Sequence, residues 1–298
     1  MALPWYRPEP IVIPLFEGSG FLEQIVLHPF GMLVAMGALG GVKVATWRAE
    51  KIGLHPRAVG ELAGYQLVVA FTLAHIFDAV FYHWDVVVQD PLFVLQLWNG
   101  LSSFGGFLGA ALGSVLWVRH RKASFRVFAD PIAFSFPFGW FFGRLGCFSV
   151  HDHPGSVTDF PLAVADYQVH GGVPPWQTRH DLGLYEVFWC MAMMALFLWL
   201  SRSKRPHGFY LAILPLLYAP VRFGLDFLRA TDIASADTRY AGLTPGHYGA
   251  LGLFLAGLAM AYHVKTAGEA RIPAAMRLPK PDGEEPADAG SGKPPTTF

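Results

Sequence analysis

Charged residues are scarce in this chain. They make up 15% of its 298 residues, whereas a soluble domain carries about 25%. Hydrophobic residues make up 53% of the chain, and the mean hydropathy is +0.37. This shortage of charge excludes an ordinary soluble domain and indicates an integral membrane protein.

The chain also lacks the features of several functional classes. Its net charge is zero, so it has no basic field that would attract nucleic acid. Its two cysteines, Cys147 and Cys190, stand in separate apolar segments and form neither a disulfide framework nor a metal-ligand pattern. The HDH cluster at 151–153 is isolated and is more typical of solvated residues than of a metal site. No phosphate-cradling glycine loop is present, and we expect no metal, no cofactor and no nucleic-acid partner.

Seven segments are apolar and long enough to cross a membrane as helices, which takes about 20 residues each. The alternating pattern of an outer-membrane barrel is absent. We therefore predict an all-α, polytopic membrane protein with seven transmembrane helices. The predicted spans are 25–46, 62–82, 92–118, 127–148, 183–201, 208–230 and 243–264.

Lysine and arginine are distributed unevenly between the two sets of loops. One set carries 16 of them, and the other carries only Arg7, Arg179 and Arg239. Because basic loops stay on the cytoplasmic side, the N-terminus is predicted outside and the C-terminus inside.

The predicted spans and the local composition give the domain organisation. We predict one membrane domain over 1–265. Its outside loop, 149–182, holds four prolines and three glycines and is expected to be irregular. The tail over 266–298 is rich in proline, glycine and acids, and is predicted to be disordered and cytoplasmic.

Three arginines, Arg144, Arg222 and Arg229, lie within or at the ends of predicted spans. A charge inside a bilayer costs at least about 2.5 kcal/mol, so such residues are functional by default. The helix rise places Arg144 and Arg222 in the outer half of the membrane. Other polar residues predicted at that level are His75, Asp78, Glu186, Asp226 and His247.

An arginine suits a phosphate because its planar fork donates two parallel hydrogen bonds and keeps its charge. Arg144 and Arg222 are therefore predicted to clamp a phospholipid headgroup that arrives from the outer leaflet. The alternative is that both arginines neutralise Asp226 and Glu186 in structural ion pairs.

Glycines recur at four-residue spacing in the third span, at Gly105, Gly109 and Gly113. This spacing indicates a close helix-packing face, with a functional role as the alternative. Two other classes fit less well. A retinal protein needs a lysine in the seventh span, which 243–264 lacks, and no internal repeat of the transporter kind is visible.

Several motifs resemble, in chain order, those of the bacterial prolipoprotein diacylglyceryl transferases. They are GRLGCFSVHDHPG from Gly143, RHDLGLYE from Arg179, LYAPVRFGLDFLRATD from Leu217 and LTPGHYGALGLFLAGL from Leu243. The resemblance covers about residues 25–264. It implies transfer of the diacylglyceryl group of phosphatidylglycerol to the lipobox cysteine thiol of prolipoprotein signal peptides. It also implies a multi-pass protein of the bacterial inner membrane among membrane lipids, with a periplasmic N-terminus.

The resemblance and the polar pattern together give the predicted site. Arg144 and Arg222 are the predicted catalytic residues, because they would stabilise the departing glycerol phosphate. The predicted substrate-binding residues are Arg144, Arg222, Arg229, Asp226, Glu186, Tyr185, Gly143, Gly146, Gly155, Gly105 and Gly106.

Four positions depart from the family pattern. Phe104 replaces a third-span histidine that is regarded as essential in the family. At the other three positions, Phe30 replaces a tyrosine, Cys147 an asparagine and Gly183 a glutamine. A phenyl ring cannot take a proton. The alternative is therefore a catalytically altered or inactive phospholipid-binding paralogue.

An active enzyme would need another base. His75, with Asp78 one turn on, is the first candidate, because a carboxylate at that spacing can fix the imidazole in one tautomer. It is accordingly counted as a catalytic residue. His151 and His153 are the second candidates, and a packed, hydrogen-bonded His75 is the alternative.

The predicted orientation has a direct test. A cysteine placed in 149–182 should react with a membrane-impermeant thiol reagent added to intact cells, because that loop is predicted outside. A cysteine placed in 266–298 should react only after the cells are opened. Labelling of the tail in intact cells would overturn the orientation.

Overall fold

The computed structural model describes residues 2–14, 24–96, 100–169, 175–234, 236–268 and 272–279. Within these ranges the chain is mostly helical. One short helix, α3, spans Trp84–Gln89. The long helices are α1 (Pro29–Lys51), α2 (Pro56–Tyr82), α4 (Ser103–Arg121), α5 (Phe125–Val150), α6 (Leu182–Leu200), α7 (Phe209–Phe227) and α8 (Pro245–Thr266).

Helices α1, α2, α6 and α7 are long and apolar enough to cross a membrane by length and composition. The prediction of a mostly helical membrane protein is therefore confirmed. The number of seven spans and the orientation of the termini stay predictions.

The chain forms two compact units. The first comprises Met1–Val44 and Ile132–Ala267, and the second comprises Ala45–Pro131 and Gly268–Phe298. The first unit has an aromatic core in which Phe134, Phe197 and Tyr210 are fully buried. Phe134 meets Tyr210 edge to face, with 4.9 Å between ring centroids, which is a favoured aromatic geometry.

Helices α2 and α4 pack closely in the second unit through the predicted glycine face. A Cβ atom at Gly105, Gly109 or Gly113 would lie 2.5 to 2.7 Å from backbone atoms of α2. Real Cβ atoms do not approach that closely, so only glycine allows the two backbones to meet. The packing interpretation of this glycine spacing is confirmed.

Helix α4 begins later than the predicted third span. The Asp90 side chain caps a 3-10 turn over Pro91–Leu95, and the Ser102 hydroxyl caps α4 by accepting from the Gly105 N–H. These two caps and Pro91 divide the apolar run that starts at 92, because each cap marks where a new helix starts.

The loop over 149–182 contains a sheet, so the prediction of an irregular loop was wrong there. Strands β3 (Pro154–Val157), β4 (Val164–Tyr167) and β5 (Gln177–Asp181) form an antiparallel sheet in the order β3–β5–β4. Tyr167 anchors it, since its buried hydroxyl donates to the His151 carbonyl at 2.7 Å. Residues 170–174 of the loop lie outside the described residues.

A second antiparallel pair near the N-terminus consists of β1 (Ile11–Pro14) and β2 (Gln24–Leu27). The described part of the chain is therefore mainly helical with two small sheets, and the all-α fold class needs this correction. The strands are four or five residues long and carry no long period-2 pattern, which is why the sequence did not reveal them.

Part of the predicted disordered tail is ordered in the second unit. The Met276 carbonyl accepts from the His55 N–H at 2.9 Å, and the Leu278 N–H donates to the Gly53 carbonyl at 3.0 Å. The prediction was wrong for residues 272–279. Residues 269–271 and 280–298 lie outside the described residues.

The glycine face predicts a position-specific effect on stability. Gly109→Ala should lower the free energy of unfolding by about 1–3 kcal/mol, because its methyl group would overpack the α2–α4 contact. Thermal unfolding in detergent would measure it. Gly64→Ala is the matched control, because no atom lies within 4 Å of its added Cβ. Equal melting temperatures for the two variants would contradict this packing.

Candidate functional site

Arg144 forms a buried ion pair in the first unit. It lies near the end of α5, and its Nε atom is 2.9 Å from the Glu186 Oε2 atom in the first turns of α6. The guanidinium also stacks on the Trp140 ring at 4.6 Å from its centroid. Arg144 is 8% exposed and Glu186 1%. Two charges buried so deeply are tolerated only when they are paired and hydrogen-bonded.

Glu186 collects two further hydrogen bonds on the same oxygen. The Trp140 Nε1–H donates at 3.2 Å, and the Tyr218 hydroxyl donates at 2.9 Å from α7. Side chains of two helices, α5 and α7, therefore fix one carboxylate of α6, which in turn fixes the Arg144 guanidinium. Trp140 was missed by the sequence analysis, because nothing in an aromatic-rich helix distinguishes the one indole that bonds a carboxylate.

A second partner of Arg144 is His153, just beyond the end of α5. The Arg144 Nη1 atom lies 3.1 Å from His153 Nε2, and His153 Nδ1 lies 2.5 Å from Asp152 Oδ1. Arginine can only donate, so Nε2 accepts and the proton of the neutral ring is assigned to Nδ1, which donates to Asp152. The sequence analysis placed His153 only as a second candidate base.

Cys147 lies beside this pair. Its thiol is 3.9 Å from Arg144 Nη1. The potential ligand atoms of Cys147, Asp152 and His153 all lie within 4.8 Å of one another, which is compatible with a bound metal ion. Both nitrogens of the His153 ring already have partners, and a cation would sit beside the guanidinium of Arg144. We therefore interpret the cluster as a hydrogen-bonded chain.

Arg222 forms a second ion pair, with a buried carboxylate. Its Nη1 atom lies 2.7 Å from Asp226 Oδ1, one helical turn away on α7. The other carboxylate oxygen of Asp226 accepts from the Thr244 hydroxyl and lies 3.4 Å from His247 Nδ1. Thr244 is the N-cap of α8 and shares a capping box with His247. A Cβ at Gly246 would lie 2.5 Å from the same carboxylate, so the start of α8 fits tightly against α7.

The two ion pairs are linked through α7. Tyr218 bonds Glu186, the partner of Arg144, and lies one helical turn before Arg222. The sequence analysis placed both arginines and both carboxylates at one level, and the structure connects these four residues through the Tyr218 side chain and one turn of α7. Both pairings named as the structural alternative are present.

Arg229 is engaged elsewhere. Its Nε atom lies 2.5 Å from Asp237, and its backbone pairs with Gly155. A Cβ at Gly155 would lie 2.8 Å from the Leu228 carbonyl oxygen, so this glycine allows the sheet to approach the segment after α7. Both residues hold the outside segments together.

The same outer segments carry two more side-chain contacts. Arg179 bonds Asp232 through Nη1 at 2.8 Å, and this bond lowers the pKa of Asp232. Tyr185 donates to His180 Nδ1 at 2.6 Å and so also contacts the sheet.

The remaining predicted glycines are Gly143 and Gly146 in α5 and Gly105 and Gly106 in α4. An added Cβ at Gly143 would meet no atom within 4 Å, whereas one at Gly146 would lie 3.1 Å from the Phe30 ring. Gly105 and Gly106 face α2 in the second unit, where packing explains them.

His75 has a structural environment in the second unit. It is fully buried, with Nδ1 at 3.2 Å from the Gly100 carbonyl and Nε2 at 3.1 Å from the Phe93 carbonyl. Asp78 pairs with His83 at 3.1 Å, so it is not placed to orient His75. This geometry favours the packed-histidine alternative over the base. Phe104, at the position of the family histidine, is 69% exposed.

Comparison with known proteins shows similarity to one family. Residues 20–263 match the family model described as prolipoprotein diacylglyceryl transferase. Relatives named phosphatidylglycerol–prolipoprotein diacylglyceryl transferase occur in Chromohalobacter salexigens, with 31% identity covering 80% of this chain and 88% of that protein, and in Nitratidesulfovibrio vulgaris, with 30% identity covering 83% and 92%.

The Arg144–Glu186 pair predicts a thermodynamic coupling. Glu186→Gln should lower the free energy of unfolding by about 3 kcal/mol or more, because it leaves Arg144 buried without a counter-charge. Arg144→Met in the same background should recover part of that loss. Thermal unfolding in detergent would measure both, with Glu50→Gln at an exposed position of α1 as the control. Additive losses in the double variant would contradict the coupling.

Proposed function

The chain belongs to the prolipoprotein diacylglyceryl transferase family, and we propose that it performs the first step of bacterial lipoprotein maturation. It transfers the diacylglyceryl group of phosphatidylglycerol to the thiol of a lipobox cysteine in a prolipoprotein signal peptide. It acts as a multi-pass enzyme of the inner membrane with seven spans, a periplasmic N-terminus and a cytoplasmic C-terminus.

The observation that carries this proposal is the pair of arginines that flank Tyr218. Thiolate attack on the diacylglyceryl carbon breaks a C–O bond and releases a glycerol phosphate anion. Fixed positive charge at the point where that negative charge develops is the largest single contribution in reactions of this kind. Arg144 and Arg222 supply that charge from two neighbouring helices.

The carboxylate partners prepare the arginines for this role. Glu186 contacts Arg144 through Nε, and Asp226 contacts Arg222 through Nη1. Each guanidinium has further N–H groups beyond its ion pair. A phosphate can therefore bind while the pairs stay intact, and the ion pairs set the direction of the fork before the lipid arrives. Arg222 is the more open of the two, with 19% of its side chain exposed.

The family resemblance and the exposed Phe104 point in different directions. The alternative of an inactive phospholipid-binding paralogue is supported by Phe104 alone, since both arginine ion pairs are present. The relatives at 30–31% identity carry a transferase name, and this supports an active enzyme. The direct substrate contacts fall to Arg144, Arg222 and the residues that hold them. Arg229, Gly155, Gly105 and Gly106 act through packing.

Transfer activity tests the arginine clamp. Arg144→Ala and Arg222→Ala should each lower transfer from phosphatidylglycerol to a lipobox peptide by at least about 100-fold, because a donor to the departing phosphate is lost. Arg→Lys should restore little, since an ammonium group cannot make two parallel bonds. Mass spectrometry of the peptide would measure the product.

The control variant is Arg202→Ala, which removes an exposed charge beyond the end of α6. It should transfer at the wild-type rate. Full activity in either Ala variant of the clamp would remove that arginine from the mechanism. Lower melting temperature with normal turnover per folded molecule would instead assign the pairs a structural role.

A further inference from the structure

We propose that His153 accepts the proton of the incoming thiol, and that Arg144 covers its Nε2 atom until a lipid phosphate arrives. This inference rests on the proposed function and deepens it. It names the base that takes the place of the family histidine, which is Phe104 in this chain.

The geometry of His153 is that of an oriented base. Its Nδ1 lies 2.5 Å from Asp152 Oδ1, and the proton of the neutral ring is assigned to that bond because Arg144 can only donate to Nε2. A carboxylate on Nδ1–H holds the imidazole in one tautomer and stabilises the imidazolium that forms later. His153 is 26% exposed on its side chain, so a peptide thiol can reach the ring.

The lone pair of His153 is occupied in the resting protein. Nε2 accepts from Arg144 Nη1 at 3.1 Å, and that nitrogen atom has one lone pair. A bound phosphate oxygen offers Arg144 a charged acceptor, which is stronger than a neutral imidazole. The N–H bond shifts to the phosphate, and Nε2 becomes free beside the reacting lipid. The base is therefore available only when the diacylglyceryl donor is in place.

The step balances in atoms and charge. The thiol proton moves to His153 Nε2, and the thiolate forms a bond to the diacylglyceryl carbon. The bond from that carbon to the phosphate oxygen breaks, and its electron pair leaves on the glycerol phosphate between Arg144 and Arg222. The imidazolium then returns its proton to the phosphate or to solvent. No oxidant, reductant or second co-reactant enters.

Three other histidines in the described part of the first unit, His151, His180 and His247, are engaged in packing or hydrogen bonds. His151 is buried and bonds Asp181 at 2.7 Å and the Tyr6 carbonyl at 3.1 Å through its two nitrogens. His180 bonds Tyr185, and burial lowers its pKa. His247 is fully buried between Phe223 and Phe227, with ring centroids 4.7 and 4.3 Å away.

The charged and titratable groups around His153 are accounted for. Asp152 bonds the ring directly, Arg144 contacts Nε2, and Cys147 lies within 4.8 Å of the dyad. Glu186 stands behind Arg144 as its counter-charge. In this arrangement the neutral ring is the active form, because only an unprotonated Nε2 can accept the thiol proton.

The test compares two acceptor peptides with the intact protein in phosphatidylglycerol nanodiscs. One lipobox peptide carries cysteine and the other carries selenocysteine, whose selenol ionises at lower pH than a thiol. His153→Gln should lower kcat for the cysteine peptide by about 100-fold or more, the range of general-base catalysis. The loss should shrink to less than about tenfold with the selenocysteine peptide, since an ionised nucleophile does not need the base.

Two further variants complete the design. Asp152→Asn should show the same peptide dependence with a smaller loss, because it removes the carboxylate that orients the ring. The control is His263→Gln, which replaces an exposed histidine in the last turn of α8. It should transfer the diacylglyceryl group to both peptides at the wild-type rate. The pH profile of His153→Gln should rise with ionisation of the peptide thiol alone.

Each outcome separates the base from the overall function. If the wild-type protein transfers and the His153→Gln variant is unimpaired, the assignment of His153 as the base is wrong, and the proposed function still stands. An equal loss with both peptides also overturns that assignment, because a structural defect does not depend on nucleophile ionisation. If the wild-type protein transfers to neither peptide, the proposed function itself fails, and the base fails with it.

Discussion

The buried pair of Arg144 and Glu186 is the constraint on which the site depends. Removing either partner leaves an uncompensated charge where water is scarce, so α5 and α6 must meet at this point. Tyr218 adds α7 to the same carboxylate. The position of the guanidinium fork that we propose to bind phosphate therefore follows from how three helices pack. The pair is at once a requirement of folding and, in the proposed function, a preparation for binding an anion.

The sequence predicted most of what short-range rules govern. Arg222 and Asp226 lie four residues apart on one helix, and this spacing alone brings their side chains together. The glycine spacing from Gly105 to Gly113 is equally local and predicted the α2–α4 packing face. Hydropathy gave the helices, because a span must be apolar along its whole length.

Contacts that depend on the course of the loops were beyond the sequence. Arg229 was predicted to bind substrate, but Asp237 pairs with it from a flanking segment whose course no periodicity reveals. His75 and Asp78 have the spacing of a dyad, yet two backbone carbonyls take the ring. His153 reaches Arg144 only because the chain turns sharply after α5, where His151 has a positive φ of 52°.

The docking of residues 272–279 on Gly53 and His55 has a consequence for biosynthesis. The two partners are separated by more than 200 residues of chain, so the contact has a high loop-closure cost and forms late. While the chain is still on the ribosome, the second unit waits with that part of its surface uncovered. The second unit is completed only after the helices of the first unit have been synthesised. Docking of residues 272–279 therefore marks the point at which synthesis has passed the last helix.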